Sequence, residues 1–363
     1  MSSPATFPSV TAPGRTPRAA VLHAPGRIEV VDRSEPDAAA DELVVEVLAA
    51  TLCGTDVRIF HGTKPVGLPR VLGHEVAARV VAMGDDVADV AGSPRPGDMV
   101  GIAPSIACGR CRDCRAARGH LCAHKQALGH QIDGGLASHL RLPARAVTAG
   151  NVVRSTGATY PAEVALAEPL SCVVHGQRRT PVELGDVVLL LGAGPIGLLH
   201  LQVALRSGAR TVVVSEPNAQ RRALAAQLGA THVVDPDADS PTAVVDDLTQ
   251  GRGADCAFIC MGCPELIDEA LLAVRMQGRV NLFAGFAGDG AAEIRANLIH
   301  YKELQVGGSS DSAPLDYALA LELIETGQVD VAPLLTHEFA LGDVTEALRA
   351  AESGAAMKVA VVP

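Results

Sequence analysis

The chain has 363 residues, 48% of them hydrophobic, more than one core ordinarily serves, so two domains are expected. Its formal net charge of −11 opposes nonspecific attraction to nucleic acid or to an anionic membrane, and neither is expected as a partner. No run of about 18 apolar residues stands free of charges and turn residues, and no basic segment followed by an apolar stretch opens the chain, so a soluble, cytoplasmic protein with reduced thiols is expected.

The opening MSSPATFPSVTAPGRTP is rich in Pro, Ser and Thr without an apolar period, and residues 1–18 are expected to form a loose tail. From there to about Glu168, short β-like runs such as ELVVEVLAA and EVAARVVAMG alternate with Gly, Pro and Asp turns. Two segments here, TLCGTDVRIF and VLGHEVAARV, carry Cys53, His74 and Glu75. Each alone is unremarkable. Together with Glu168 in AEPLSCVVHG they supply a thiolate, an imidazole and carboxylates, a donor set for a catalytic zinc that leaves one coordination position open. Asp56 is placed to orient the histidine.

Between these segments Cys108, Cys111, Cys114 and Cys122 read C-x2-C-x2-C-x7-C. Four thiolates satisfy tetrahedral zinc completely, which makes this a structural site; iron–sulfur proteins use similar spacings. The arginines around the cluster read as a solvated lobe surface.

The texture changes at GDVVLLLGAGPIGLLHLQVALRSG. Apolar β-branched runs alternate with helical segments in a six-strand βαβ series, and their continuous apolar character implies a parallel sheet covered on both faces. Gly192, Gly194 and Gly197, with Pro195 and Ile196 between them, follow a strand and open a helix, and Glu216 ends the next strand. This is a dinucleotide-binding turn, and the Glu216 carboxylate favours NAD, because it would face the 2′-phosphate of NADP. Arg221 and Arg222 are the residues that would accommodate such a phosphate. The remaining cysteines, Cys172, Cys256, Cys260 and Cys263, read as buried structural thiols, and His61 and His130 as loop residues. The chain closes on a helix, LDYALALELIETG, and a strand, AMKVAVVP, whose natural partner is the β-rich first half.

In this order CGTD, GHE, the four-cysteine lobe, EPLS, GAGPIG and KVAV resemble the zinc-dependent medium-chain dehydrogenase/reductase family, in its sorbitol (polyol) and threonine dehydrogenase branch. The resemblance implies an α/β chain: a GroES-like β-rich catalytic domain at 19–170 and 313–363, with a zinc lobe at about 104–126, interrupted by a Rossmann NAD-binding domain at 171–312. It implies two zincs per chain, Cys53 and His74 as catalytic ligands, Glu75 and Glu168 as acids that alternate at the metal, and a homodimer or homotetramer. Thr55 takes the family's hydroxyl-relay position. Arg58 stands where relatives often carry a histidine; it cannot shuttle a proton, so either the relay ends in water or Arg58 is a substrate or phosphate contact. GGSSDSAP departs from sorbitol dehydrogenases, and there Ser310 and Asp311 are substrate contacts or a turn and helix cap. The implied reaction interconverts a secondary alcohol and a ketone on a small polar hydroxylated substrate, a polyol, sugar or cyclitol. The alternatives are a threonine-type amino alcohol and a zinc- and NAD-binding regulatory protein without turnover.

Overall fold

The computed structural model describes residues 16–88, 92–286 and 290–363; most of the expected tail lies outside them. The chain divides into two compact units. One takes in the described residues up to Ser171 together with Ser312–Gly327 and Val331–Pro363, and the other comprises Cys172–Asp311 and Gln328–Asp330.

The first unit is built on a seven-stranded sheet. Its strands run Val152–Arg154, Met99–Ile102, Glu75–Met83, Glu42–Thr51, Lys358–Val362 and Leu335–Ala340, and His139–Pro143 also pairs with Glu42–Thr51. The central strand Glu42–Thr51 is buried along nearly its whole length, which explains why ELVVEVLAAT lacks the alternation of a half-exposed strand. A smaller sheet places Arg18–Ala24 between Arg27–Asp32 and Arg70–Val71. Among the described residues, apolar clusters in this unit gather around Leu22, Leu72 and Leu348, around Leu43, Ile102 and Leu142, and around Ala49, Ala162 and Ala360. The closing strand Lys358–Val362 lies antiparallel to Glu42–Thr51, with Ala360 opposite Thr51. Thr51 is in turn opposite Glu75 in the neighbouring strand. This register sets three side chains, from residues 51, 75 and 358, on one face.

The second unit is a six-stranded parallel sheet in the order His232–Val234, Thr211–Ser215, Val187–Leu191, Ala254–Ile259, Val274–Leu282, Gln305–Gly308. The order reverses beside the first strand in sequence, so a crevice opens at its C-terminal end, where the Gly-rich turn lies. VVLLL is buried at every position, as expected of a strand with both faces covered. The edge strand Gln305–Gly308 is exposed throughout. Among the described residues, no helix is long and apolar enough to cross a membrane.

Candidate active site

Helix Gly54–Phe60 begins at Cys53, whose backbone N–H donates to Asp56 Oδ2 at 3.0 Å, a return contact from the third helical residue that fixes the turn CGTD. The other oxygen of Asp56 accepts from the N–H of Gly73 at 3.1 Å and lies 3.3 Å from Nδ1 of His74. One buried carboxylate therefore ties the Cys53 turn to the His74 segment and lies beside Nδ1, so Nε2 is the atom that would coordinate a metal. Burial opposes the charged forms of both groups, but their mutual attraction outweighs it: Asp56 is held below the usual carboxylate range and His74 well above the usual imidazole range.

Single donor atoms of Cys53, His74 and Glu75 lie within 4.8 Å of one another. A soft thiol, an imidazole and a carboxylate at such spacing fit zinc and leave a tetrahedral position unfilled. Glu75 is fully buried and doubly engaged: Thr51 Oγ1 donates to Oε2, and Lys358 Nζ donates to Oε1 and, at 2.6 Å, to Oε2. Lys358 also donates to the carbonyl of Leu52 at 3.3 Å. Burial disfavours its ammonium, yet Glu75, with Cys53 and Glu168 nearby, raises the Lys358 pKa above the ordinary lysine value.

Glu168, near the start of helix Ala167–Arg179, stands outside the compact set of three, and its charge acts on Lys358 and on Tyr317. Tyr317 is fully buried, and burial together with the Glu168 and Glu75 carboxylates pushes its phenol up. Ser171 Oγ donates to the carbonyl of Glu168 at 2.6 Å and lies 2.6 Å from Ser312 Oγ, which fixes the first turn of that helix. Thr55 Oγ1 accepts from Arg58 Nη2 at 3.1 Å. His130 packs edge-on to His74 at 5.8 Å between ring centres, and His61 pairs with Glu352 at 3.1 Å. Lys358, Thr51 and Tyr317 were not singled out from sequence. A signal for Lys358 was available: a lysine at the head of the apolar run KVAVV needs a buried partner.

The four lobe cysteines also bring their sulfurs within 4.8 Å of one another. Three separations are 3.4 Å (Cys111–Cys114), 3.7 Å (Cys111–Cys122) and 3.9 Å (Cys108–Cys114). A tetrahedron with metal–sulfur bonds of ~2.3 Å has edges of ~3.8 Å, so the set fits zinc with no position left over. The N–H groups of Cys108 and His124 point at Cys122 Sγ, at 3.5 and 3.3 Å. Backbone N–H groups of Arg110 and Cys111 draw the Cys108 thiol down to about 6, whereas burial and neighbouring thiols push Cys114 up to about 12.

In the second unit Gly192 has φ +106°, a left-handed turn that favours glycine, and a Cβ on Gly197 would stand 2.0 Å from the carbonyl oxygen of Gly192. Gly194 caps helix Pro195–Arg206, whose first residue lacks an N–H, so the amides of Ile196 and Gly197 are those a pyrophosphate would take. Glu216 Oε2 accepts from the N–H of Ala193 at 2.8 Å and Oε1 from that of Asn218 at 3.0 Å, which aims the carboxylate at the turn. Asn218 caps the helix carrying Arg221 and Arg222. Arg222 is committed to the carbonyls of Glu216 and Pro217 and to Asp235. Cys256 is buried and Cys260 packs near Gly192 and Gly197. Burial pushes the Cys260 thiol up to about 12. Cys263 donates to Glu265 at 2.9 Å. Ser310 and Asp311 fall in the loop after the last parallel strand, Asp311 with φ 65°.

An open and a closed zinc-type donor set in one unit, and a nucleotide turn in the other, is the division of labour of a zinc-dependent dehydrogenase. The chain belongs to that family: residues 39–151 match the alcohol dehydrogenase GroES-like domain and residues 195–326 the zinc-binding dehydrogenase domain. It is 33% identical over 335 residues to an L-threonine 3-dehydrogenase of Thermococcus kodakarensis, covering 90% of this chain and 93% of the relative. It is 31% identical over 351 residues to a sorbitol dehydrogenase of Halalkalibacterium halodurans, covering 94% and 97%. A solved zinc-binding dehydrogenase of Sinorhizobium meliloti, bound to NADP, superposes with a TM-score of 0.88 at 31% identity, covering 96% of this chain and 100% of that one.

Proposed function

We propose that the protein oxidises a secondary alcohol of a small polar hydroxylated compound, a polyol, sugar or cyclitol, to the ketone, with two zincs per chain and NAD as cofactor. The observation that carries this reading is the convergence of single donor atoms of Cys53, His74 and Glu75 on one another, with the buried Asp56 carboxylate beside the histidine. When bound, zinc supplies Lewis-acid polarisation of the alcohol oxygen, and NAD takes up the hydride.

The chain's own residues have definable tasks. Cys53 and His74 hold the metal, and Asp56 fixes the imidazole tautomer. Glu75 completes the compact set, with Glu168 as the second acid. Thr55 Oγ1 accepts a hydrogen bond from Arg58, so its own proton remains available for donation while it takes one from the alcohol. Arg58 stays protonated and passes nothing on, which sends the proton to solvent. The net change is alcohol and NAD+ to ketone, NADH and one proton. Aromatic residues make up 2% of the chain, which supports a polar substrate over a bulky apolar one.

The Glu216 carboxylate supports NAD, because a 2′-phosphate would meet its negative charge. Arg221 is taken as a further cofactor contact, and Ser310 and Asp311 as substrate contacts. The threonine dehydrogenase relatives favour a second reading, an amino alcohol; the cations Arg58 and Lys64 next to Cys53 oppose a substrate bearing an ammonium group. The exposed edge strand Gln305–Gly308 supports assembly into a homodimer or homotetramer. Zinc-loaded protein is incubated with NAD or NADP and a panel of secondary alcohols, and nicotinamide absorbance is followed. Reduction of NAD with polyols is the expected result; no turnover across the panel would point to a binding protein instead.

A further inference from the structure

Arg58 and Lys64 form a cation pair that the proposed reaction leaves without a charge to balance it. Arg58 lies one turn after Thr55 on helix Gly54–Phe60, and among the described residues its side-chain partner is the neutral Thr55 hydroxyl. The loop that follows folds back on this helix: the N–H of Lys64 and the hydroxyl of Thr63 both donate to the carbonyl of Arg58, each at 3.1 Å. That brings a second, half-buried cation to the same corner. Lys64 feels Arg58, Cys53, Asp56 and Lys125; burial and the Arg58 charge lower its pKa, which marks two like charges crowded together. Among the described residues, neither Arg58 nor Lys64 has a carboxylate at ion-pairing distance. The nearest acid, Asp56, is already committed to Cys53, Gly73 and His74.

A cavity of about 750 Å3 is lined by Arg70 and Arg141 among others, and these two face Asp133 at 3.2 Å and Glu42 at 3.7 Å. The pair next to Cys53 faces no such carboxylate among the described residues.

We propose that Arg58 and Lys64 together bind a phosphate monoester at the end of the hydroxylated substrate. This rests on the dehydrogenase reading above and names the substrate class within it. A phosphate monoester carries close to two negative charges at neutral pH, the number this pair lacks. A guanidinium presents two parallel donors to phosphate oxygens, and an ammonium adds a compact charge from another direction. A carboxylate would balance only one of the two.

The test uses the zinc-loaded full chain and a matched pair of substrates, a hexitol and its terminal phosphate, read as the ratio of their kcat/KM values with NAD. The wild type is expected to favour the phosphate ester at least tenfold. Lys64→Gln lowers that ratio on the order of tenfold and Lys64→Arg restores most of it. Calorimetric titration with inorganic phosphate reads the pair independently of turnover, with binding in the wild type lost in Lys64→Gln. Lys64-dependent phosphate binding without oxidation of any alcohol would uphold the anion site and remove the dehydrogenase reading. The proposal is overturned if polyols are oxidised but the ratio is the same in wild type and Lys64→Gln. A sugar acid preferred over the phosphate ester overturns it too, as does a change confined to the KM for NAD, which would assign the cations to the cofactor.

Discussion

Lys358 grips both carboxylate oxygens of Glu75 across 283 residues of sequence, in a site where both side chains are almost wholly buried. Two charges removed from water gain little net stability from each other, but either one left alone carries a large desolvation cost. Lys358→Met and Glu75→Gln should each destabilise the protein by ~3–5 kcal/mol in urea denaturation, while the double variant recovers most of the loss. Additive losses would mean that the pair acts through packing and not through charge.

The two donor sets predict two zincs per chain. Cys111→Ser should leave one by elemental analysis and lower the melting temperature, because the lobe loses one corner of its four-sulfur shell. Asp56→Asn should leave both ions in place at saturation but speed release of one to a chelator, with affinity reduced about 10–100-fold. Equal release rates in wild type and variant would remove the orienting role assigned to Asp56.

Glu216 both aims at the Gly-rich turn and holds the N–H groups of Ala193 and Asn218. Glu216→Ala should therefore raise the dissociation constant for NAD more than that for NADP, measured by fluorescence titration of the reduced forms. An unchanged ratio of the two constants would refute the ribose role.

His200, in the second unit, gives a pH prediction that involves no candidate metal ligand. It is fully buried between Phe258 and Phe283, each 4.6 Å away between ring centres, and burial lowers its pKa to about 3. The folded protein thus keeps it neutral, whereas the unfolded chain protonates it at ~6.5. Stability from this group is complete above ~6.5 and is lost as the pH falls toward 3, by at most about 5 kcal/mol. His200→Leu should flatten the dependence of urea midpoint on pH between 7 and 5; an unaltered slope would place the acid sensitivity elsewhere.

The local chemistry was legible in the sequence wherever ligands lie close together along the chain. The four lobe cysteines span 15 positions, and GAGPIG is a single turn, so spacing alone defines what each can bind. CGTD likewise declares its own geometry, because Asp56 closes back on Cys53 within one helical turn. Cys53, the adjacent pair His74 and Glu75, and Glu168 are too far apart in sequence for spacing to connect them, and only their joint occurrence and the resemblance linked them. Strand register decided the rest. Thr51 faces Glu75 across two neighbouring strands, and Lys358 reaches Glu75 only because the closing strand inserts antiparallel beside Glu42–Thr51. The crowding of Arg58 and Lys64 arises from a loop turning back on a short helix. Charge pairing across strands and the absence of a counter-charge depend on distances in three dimensions, and neither is encoded in a local pattern of residues. Residue types along the chain specify which atoms can reach the site; the fold selects which of their charges are balanced, because burial leaves each charge only the partners placed beside it.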